Sequence, residues 1–485
     1  MATENNPNRD ISSVKIFEFE YKKLPKDYSP IVIDISQTMN DDFINNPKLG
    51  SDITMSRSFE PPKSALGYHR YIHINKDEMS FMNSYREKKQ KEVFHVMNKF
   101  ERYIDNYDDS IGSASKKFFG LEKDKPDILS RGFYKLWEIL QTYKLIDINN
   151  KNFVSAHLAE GPGSFIQATM FYRDTYSKYS KNDKYYAVTL HPEETDGHVP
   201  ELEAKFTEYY ANENPKRFIL HKTYSKNQMG GYKDRDNGDL TNPITIELFG
   251  GQLTSANDRA DFITADGGFN WKNENTQEQE AHRLIFSEIL AAIDVQKTGG
   301  SFVCKFFESY TIVSCKLLYL LTQMYEKVLL IKPLTSRPSN SEKYVVCMNF
   351  KLNTGSKEYE EVVKNLKKIL KFMHSNVDKY VSFLWNYVKL PKSFINTMIY
   401  ANITIANKSV EAMTRLRLFH EAQNFYGDVY QENRLLQIEA AKYWNKVFLA
   451  TIENKETVNG YLSIIANNII QKNIEHVKAN FDKLV

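Results

Sequence analysis

Between residues 116 and 352 short apolar runs alternate with stretches of helical spacing, and this alternation constrains the fold more than any other feature. The runs lie at 153–159, 185–190, 261–265, 301–307 and 344–348. Each is continuously apolar rather than alternating, which predicts strands covered on both faces. Strands of that kind separated by helices, one of them expected near Glu278–Val295, specify an α/β fold with a doubly wound parallel sheet. The flanks read differently. Residues 1–115 predict an α+β extension, with a strand at 14–21, a loop over 59–68 and a helix from about Lys76 to Asn106 marked by Phe81, Tyr85, Val93, Met97, Phe100 and Tyr103. Residues 353–485 predict a helical unit, including a helix over Glu360–Phe372 whose Val363, Leu366, Ile369 and Leu370 share one face. Three units also agree with a chain of 485 residues at roughly 150 per domain.

Charge excludes one simple reading. The 64 Lys and Arg are nearly balanced by 61 Asp and Glu, so a nucleic-acid ligand needs a local basic patch and not a bulk basic footprint. Cys304, Cys315 and Cys347 form no C-x-x-C pair, which predicts buried thiols in a reducing, intracellular compartment. The first residues lack the apolar region of a signal peptide, and no apolar stretch reaches membrane-spanning length. No H-E-x-x-H or Cys/His cluster predicts a metal.

Four motifs carry the chemistry. Ala-Glu-Gly-Pro-Gly-Ser-Phe at 159–165 follows a strand and opens a helix, a turn at which backbone can approach a ligand closely. Thr-Ala-Asp-Gly-Gly at 264–268 puts Asp266 at the carboxyl end of a strand, the ligand-binding edge of such sheets. Lys305 interrupts an apolar strand, and a lysine there is expensive to bury unless it is paired. Thr-Ser-Arg-Pro-Ser-Asn-Ser-Glu at 335–342 is a loop leading into a strand, with Arg337 and Asn340 able to grip phosphate or ribose. Each alone also fits an ordinary turn or a solvated strand end; together they are far more specific.

Together they resemble the FtsJ-like (RrmJ-type) ribose 2′-O-methyltransferases, most closely the cap-specific branch of eukaryotes and large DNA viruses. The resemblance covers about 116–352. It implies a Rossmann-like methyltransferase sheet and a Lys-Asp-Lys-Glu tetrad. Asp266 comes from Ala-Asp-Gly-Gly-Phe at 265–269, Lys305 from its strand, and Glu342 from the Ser-Arg-Pro-x-Asn-Ser-Glu motif at 336–342. Lys135 comes from Ser-Arg-Gly-Phe-Tyr-Lys-Leu-Trp-Glu at 130–138. It implies S-adenosylmethionine as cofactor, with Glu160, Gly161, Pro162, Gly163, Ser164 and Phe165 around its methionine end and ribose, Asp239 and Leu240 beside its adenosine, and Asp266 near both. Ser164 stands where the family turn usually has a second Gly. A lysine with a pKa lowered by burial, Lys305, would take the hydroxyl proton or hold the developing alkoxide. RNA is the implied partner, with the 5′ end of capped mRNA as the expected substrate, contacted by Arg131, Asn275, Gln277, Arg337 and Asn340. A ribosomal or transfer RNA substrate, or a non-catalytic RNA-binding scaffold in a capping or transcription complex, stays open at this stage. The C-terminal helices would suit a capping-enzyme or polymerase partner, in the cytoplasm or virion for a viral chain and the nucleus for a cellular one. Lys63, Tyr68, His69, Arg70 and Tyr71 mix cations with aromatics, and the simplest reading of them is a solvated loop with core aromatics.

Overall fold

The computed structural model describes residues 30–450, apart from 63–64, 80–94, 105–106, 123, 195–201, 215, 269–272, 274 and 424–426. The expected strand at 14–21 lies outside these residues, as do Lys63, Phe81, Tyr85, Val93 and Phe269.

The centre is an eight-stranded sheet. Its strands are β1 (Ile31–Asp34), β3 (Val154–Leu158), β4 (Lys184–Val188), β5 (Phe218–Leu220), β6 (Ala260–Ala265), β7 (Gln296–Phe306), β8 (Tyr325–Lys332) and β9 (Lys343–Phe350), in the order β1-β8-β9-β7-β6-β3-β4-β5. A second, two-stranded sheet joins β2 (Ile53–Ser56) to β10 (Tyr380–Leu384). The longer helices are α1 (Leu66–Asp77), α2 (Ile111–Phe119), α3 (Arg131–Tyr143), α4 (Ser164–Tyr176), α5 (Ala204–Glu213), α6 (Pro243–Ser255), α7 (Gln277–Val295), α8 (Ile312–Met324), α9 (Lys357–His374), α10 (Lys392–Glu421) and α11 (Asp428–Phe448). Side chains begin several of them. Ser130 accepts from Gly132 N at the start of α3, Asn242 from Ile244 N before Pro243 of α6, and Thr311 from Ser314 N at the start of α8.

All five expected strands form, and the doubly wound core is as anticipated. Successive strand residues face opposite ways, as a period of two requires. Phe262, Val303, Leu329 and Val346 pack with α3, α4 and α11 on one side. Ile263, Phe302, Leu330 and Val345 pack with α6, α7, α8 and α9 on the other. The sheet is not wholly parallel, however. β9 is antiparallel to both β7 and β8, and β1 is antiparallel to β8. The loop 333–342 between β8 and β9 is too short for the helical crossover that a parallel pair needs, so the chain turns back. That reversal brings the start of β9 to the edge where β6, β7 and β8 end.

Outside 116–352 the segments share this core. β1 closes one edge of the sheet, and Trp444 and Phe448 of α11 join the cluster around α3. The C-terminal part is mainly helical but holds β10, whose Val381 and Leu384 are buried. Of the helix expected over 76–106, residues 80–94 lie outside the described residues; α1, from Leu66, reaches its start at Asp77, and residues 97–104 are not helical. His69, Tyr71 and their neighbours accordingly lie on a helix and not in a loop. Cys304, Cys315 and Cys347 are buried free thiols. Among the described residues no helix is long and apolar enough to cross a membrane.

Candidate active site

Lys135, Asp266, Lys305 and Glu342, spread over more than two hundred positions, meet at one edge of the sheet. Register explains the placement. Ala265 lies beside Cys304 in the parallel β6–β7 pair, so Asp266 and Lys305 leave neighbouring strand ends together. Lys305 faces Tyr344 across the antiparallel β7–β9 pair, which sets Glu342 just ahead of β9 at the same edge. Lys135 reaches over from α3. Its Nζ lies 2.7 Å from Glu342 Oε1, and Lys305 Nζ lies 3.2 Å from Asp266 Oδ1 while donating to the Asp266 carbonyl at 2.7 Å. Two ion pairs thus stand side by side, each only partly open to water.

Their electrostatics differ. Burial pushes the Glu342 carboxyl up, but Lys135, Lys305 and Lys332 overcome it and hold the group at about 2. For Lys305, burial favours the neutral amine, yet Asp266, Glu342 and Glu288 outweigh burial and raise its pKa. The lowered pKa anticipated for this lysine is therefore not what the structure gives. Lys305 is an ammonium held by acidic groups, because it emerges at the sheet edge where Asp266, Glu342 and Glu288 converge.

Further groups complete the site. The Tyr344 hydroxyl donates to Asp266 Oδ1 at 3.1 Å. Ser336 donates to Glu342 Oε1 at 3.0 Å. Both stand in the family-like motif, which continues through Tyr344 to Val346. Glu288 of α7 accepts from Gly267 N at 3.0 Å, and burial raises its carboxyl to about 8. Lys332, at the end of β8, lies behind Glu342. The signal for Lys332 was a lysine ending the apolar run Leu-Leu-Ile-Lys at 329–332; for Glu288 the sequence carried none.

The turn after β3 is built around Glu160. Its Oε1 accepts from Phe165 N and Ile166 N at 2.7 and 2.8 Å, closing the N-terminus of α4 with an acid. Its Oε2 is buried without a hydrogen-bond partner, and burial raises the carboxyl to about 8. Gly163 has φ +110°, which only glycine adopts readily. Ser164 is accommodated: its hydroxyl meets Ser130 Oγ at 2.6 Å, tying the turn to the start of α3. Phe165 and Leu240 pack into the core, so their side chains do not line an open site. Gly161 N donates to Thr189 Oγ1 at 3.2 Å, joining the turn to the end of β4. Nearby, Gly238 has φ +79°, and a Cβ there would stand 2.1 Å from the Thr189 carbonyl. Asp239 follows it, its Oδ1 accepting from Thr241 N and Oγ1. Pro162 follows a cis peptide bond.

The five expected RNA contacts surround this edge but are engaged within the protein. Arg131 pairs with Glu101 and donates to Thr335 O at 2.6 Å. Arg337 Nε lies 3.5 Å from Glu101 Oε1. Burial pushes Glu101 up, while His95, Arg131 and Arg337 hold it at about 2. Asn340 Oδ1 accepts from Lys332 at 2.8 Å, Gln277 Oε1 accepts from Ser341 at 2.9 Å, and Asn275 donates to Asp77 of α1 at 2.8 Å. A second polar cluster lies on α1, where ligand atoms of His69, His73 and Glu308 lie within 4.8 Å of one another. Lys76 already pairs with Glu308, so a cation occupies the position a metal ion would need.

Comparison with known proteins agrees with this geometry. Residues 128–350 match the FtsJ-like methyltransferase family. Cap-specific mRNA (nucleoside-2′-O-)-methyltransferase 1 of Mus musculus is 36% identical over 186 residues, covering 38% of this chain and 22% of that protein. Cap-specific mRNA (nucleoside-2′-O-)-methyltransferase 2 of Drosophila melanogaster is 29% identical over 280 residues, covering 56% of this chain and 36% of that protein. The chain therefore spans well under half the length of these relatives. Among solved structures, a ribosomal RNA methyltransferase from Plasmodium falciparum superposes with a TM-score of 0.30 at 20% identity, covering 46% of this chain and 97% of that one.

Proposed function

Because residues 128–350 match the FtsJ-like methyltransferase family, we propose that the chain moves a methyl group from S-adenosylmethionine to a ribose 2′-hydroxyl of RNA, on the first transcribed nucleotide of capped mRNA. The observation that carries this reading is the meeting of Lys135–Glu342 with Lys305–Asp266 at one sheet edge.

The residues present fit the cofactor. Glu160 offers a buried, unpartnered oxygen, and the Thr189–Gly238 approach leaves backbone uncovered by any Cβ beside Asp239. Glu160, the 161–164 turn and Asp239 would hold it, with Asp266 at the boundary to the substrate. S-adenosylmethionine supplies an electrophilic methyl group on a sulfonium cation.

The chain's own groups do the rest. Lys135 and Lys305 flank the hydroxyl and orient it, and positioning of this kind supplies much of the rate. As the ribose oxygen takes the methyl and its proton passes to solvent, the Lys305 ammonium stabilises the negative charge growing on that oxygen. Asp266 and Glu342 aim the two lysines, and together they keep Lys305 charged. Tyr344 fixes the Asp266 carboxylate through its hydroxyl. Arg131, Arg337 and Asn340 supply the local positive and amide groups for the RNA strand, exchanging internal partners for phosphate and ribose.

The test is labelling of short RNAs with a radioactive cofactor. Capped RNA should be methylated on its first ribose and uncapped RNA should not. Equal labelling of both would exclude cap specificity and favour a ribosomal or transfer RNA substrate. Cofactor binding without any transfer would favour a scaffold.

A further inference from the structure

Lys332 is buried at the end of β8, and its Nζ lies 2.8 Å from Asn340 O, 2.8 Å from Asn340 Oδ1 and 2.7 Å from Glu342 O. All three distances fit hydrogen bonds. A lysine ammonium has three protons to donate, a neutral amine only two. The three oxygens therefore take up all the donors of a charged Lys332 and leave it none for substrate. This separates it from Lys135 and Lys305, which face the site.

The acceptors are what matter. All belong to residues 340 and 342, the last turn of the loop that delivers the Glu342 carboxylate. The Glu342 carbonyl points back to Lys332, and its side chain points forward to Lys135 at 2.7 Å. The other end of the loop is pinned separately. Leu334 N and Thr335 N donate to Glu138 at 2.8 and 2.9 Å, and the Thr335 carbonyl accepts from Arg131 at 2.6 Å. Without Lys332 the distal end would keep Asn340 N–Arg337 O, Ser336–Glu342, Ser341–Gln277 and the start of β9, but would lose the one side chain that binds Asn340 and Glu342 together.

We propose that Lys332 is a positioning residue that clamps the 340–342 turn so that Glu342 meets Lys135 and Lys305. The clamp rests on the assignment of those residues under the proposed function. Burial, helped by the neighbouring charges of Lys343 and Lys135, lowers the Lys332 pKa to about 7 against the pull of Glu342. An ammonium kept in such a place depends on its three acceptors, so loop and lysine hold each other. A methionine of similar length would keep the packing and remove all three bonds.

The experiment compares wild type, Lys332→Met, Glu342→Gln and the double variant. Steady-state methyl transfer on capped RNA is measured together with calorimetric cofactor binding and hydrogen exchange of the 334–342 amides. A misplaced reacting group loses up to about a hundredfold in rate. Lys332→Met should therefore lose between about tenfold and that limit in kcat, with cofactor Kd within about twofold of wild type. In the Glu342→Gln background it should lose nothing further, because a residue acting through Glu342 has no separate effect. Exchange protection should fall at 340–342 and hold at 334–335, in β7 and in β9. Losses that multiply in the double variant, a kcat close to wild type, or unchanged protection at 340–342 would each overturn the clamp. If Lys332→Met does not fold, Lys332→Gln, with two donors, carries the same comparisons. If neither folds, Lys332 supports the whole fold and the clamp is refuted. Should wild type transfer no methyl group, the functional reading fails, while the exchange data still decide whether Lys332 holds the loop.

Discussion

Glu342→Gln tests the electrostatics of the site through stability as well as rate. In the folded protein the Glu342 carboxyl is held at about 2 against an ordinary value of 4.5. At about 1.4 kcal/mol per pH unit, that shift makes the ionised form worth roughly 3 kcal/mol to the folded state. The Glu342 side chain is only 16% exposed, so solvent removes little of this. The sign follows from the direction of the shift. The folded pKa is depressed, so the stabilisation is fully present above the ordinary carboxylate range and fades as pH falls toward the folded value. Urea denaturation of wild type and variant across a pH series should give a stability gap of roughly 3 kcal/mol near neutrality, shrinking to less than half by about pH 3. Methyl transfer should fall in parallel by at least about a hundredfold, since Lys135 loses the carboxylate that orients it and Lys305 loses one of the charges around it. A gap that does not narrow in acid would refute the assigned charge balance, because a steric effect of the amide has no reason to titrate.

Two further substitutions probe other parts. Lys305→Ala should lower kcat by about 10²–10³-fold while leaving calorimetric cofactor binding near wild type; activity above a tenth of wild type would remove Lys305 from the reaction. Gly238→Ala forces a Cβ to 2.1 Å from the Thr189 carbonyl at φ +79°. It should lower Tm and weaken cofactor binding at least about tenfold through a strain of about 1–2 kcal/mol or more, and unchanged binding would place the cofactor elsewhere.

Three members of the tetrad left a mark in the sequence because a charge buried at a strand end stands out, whereas Lys135, on a helix, was pointed to only by the family resemblance. Asp266 sits before Gly267-Gly268, Lys305 interrupts an apolar run, and Glu342 ends a loop rich in Ser, Arg and Asn. Direction was not legible. A continuous apolar run reads the same whether its strand runs with or against its neighbour. Only by recognising β8 could the reversal into β9 have been inferred, and β8 follows α8 without an intervening Gly or Pro. Lys332 was hidden for the same reason. The expected low pKa of Lys305 failed because burial was foreseen and the convergence of three carboxylates was not. Glu288 arrives from α7, at a position that a sequence reader assigns to a helix face. The helix expected over 76–106 failed at 97–104, where Phe100 and Ile104 are buried without helical structure, so tertiary packing and not periodicity fixes that segment.

Helix α11 reaches the reaction without touching it. Trp137 donates to the Phe448 carbonyl at 2.7 Å, and Trp444 donates to Glu138 at 3.0 Å, one turn along α3 from Lys135. Glu138 in turn receives the amides of Leu334 and Thr335. A chain cropped ahead of Asp428 would wet this flank of α3 and leave a buried acid short of a donor. The lysine one turn away would then work in a more aqueous medium, where its attraction to Glu342 is weaker. Under the proposed function, the shortest fragment expected to transfer a methyl group thus extends nearly a hundred residues past the last strand of the sheet.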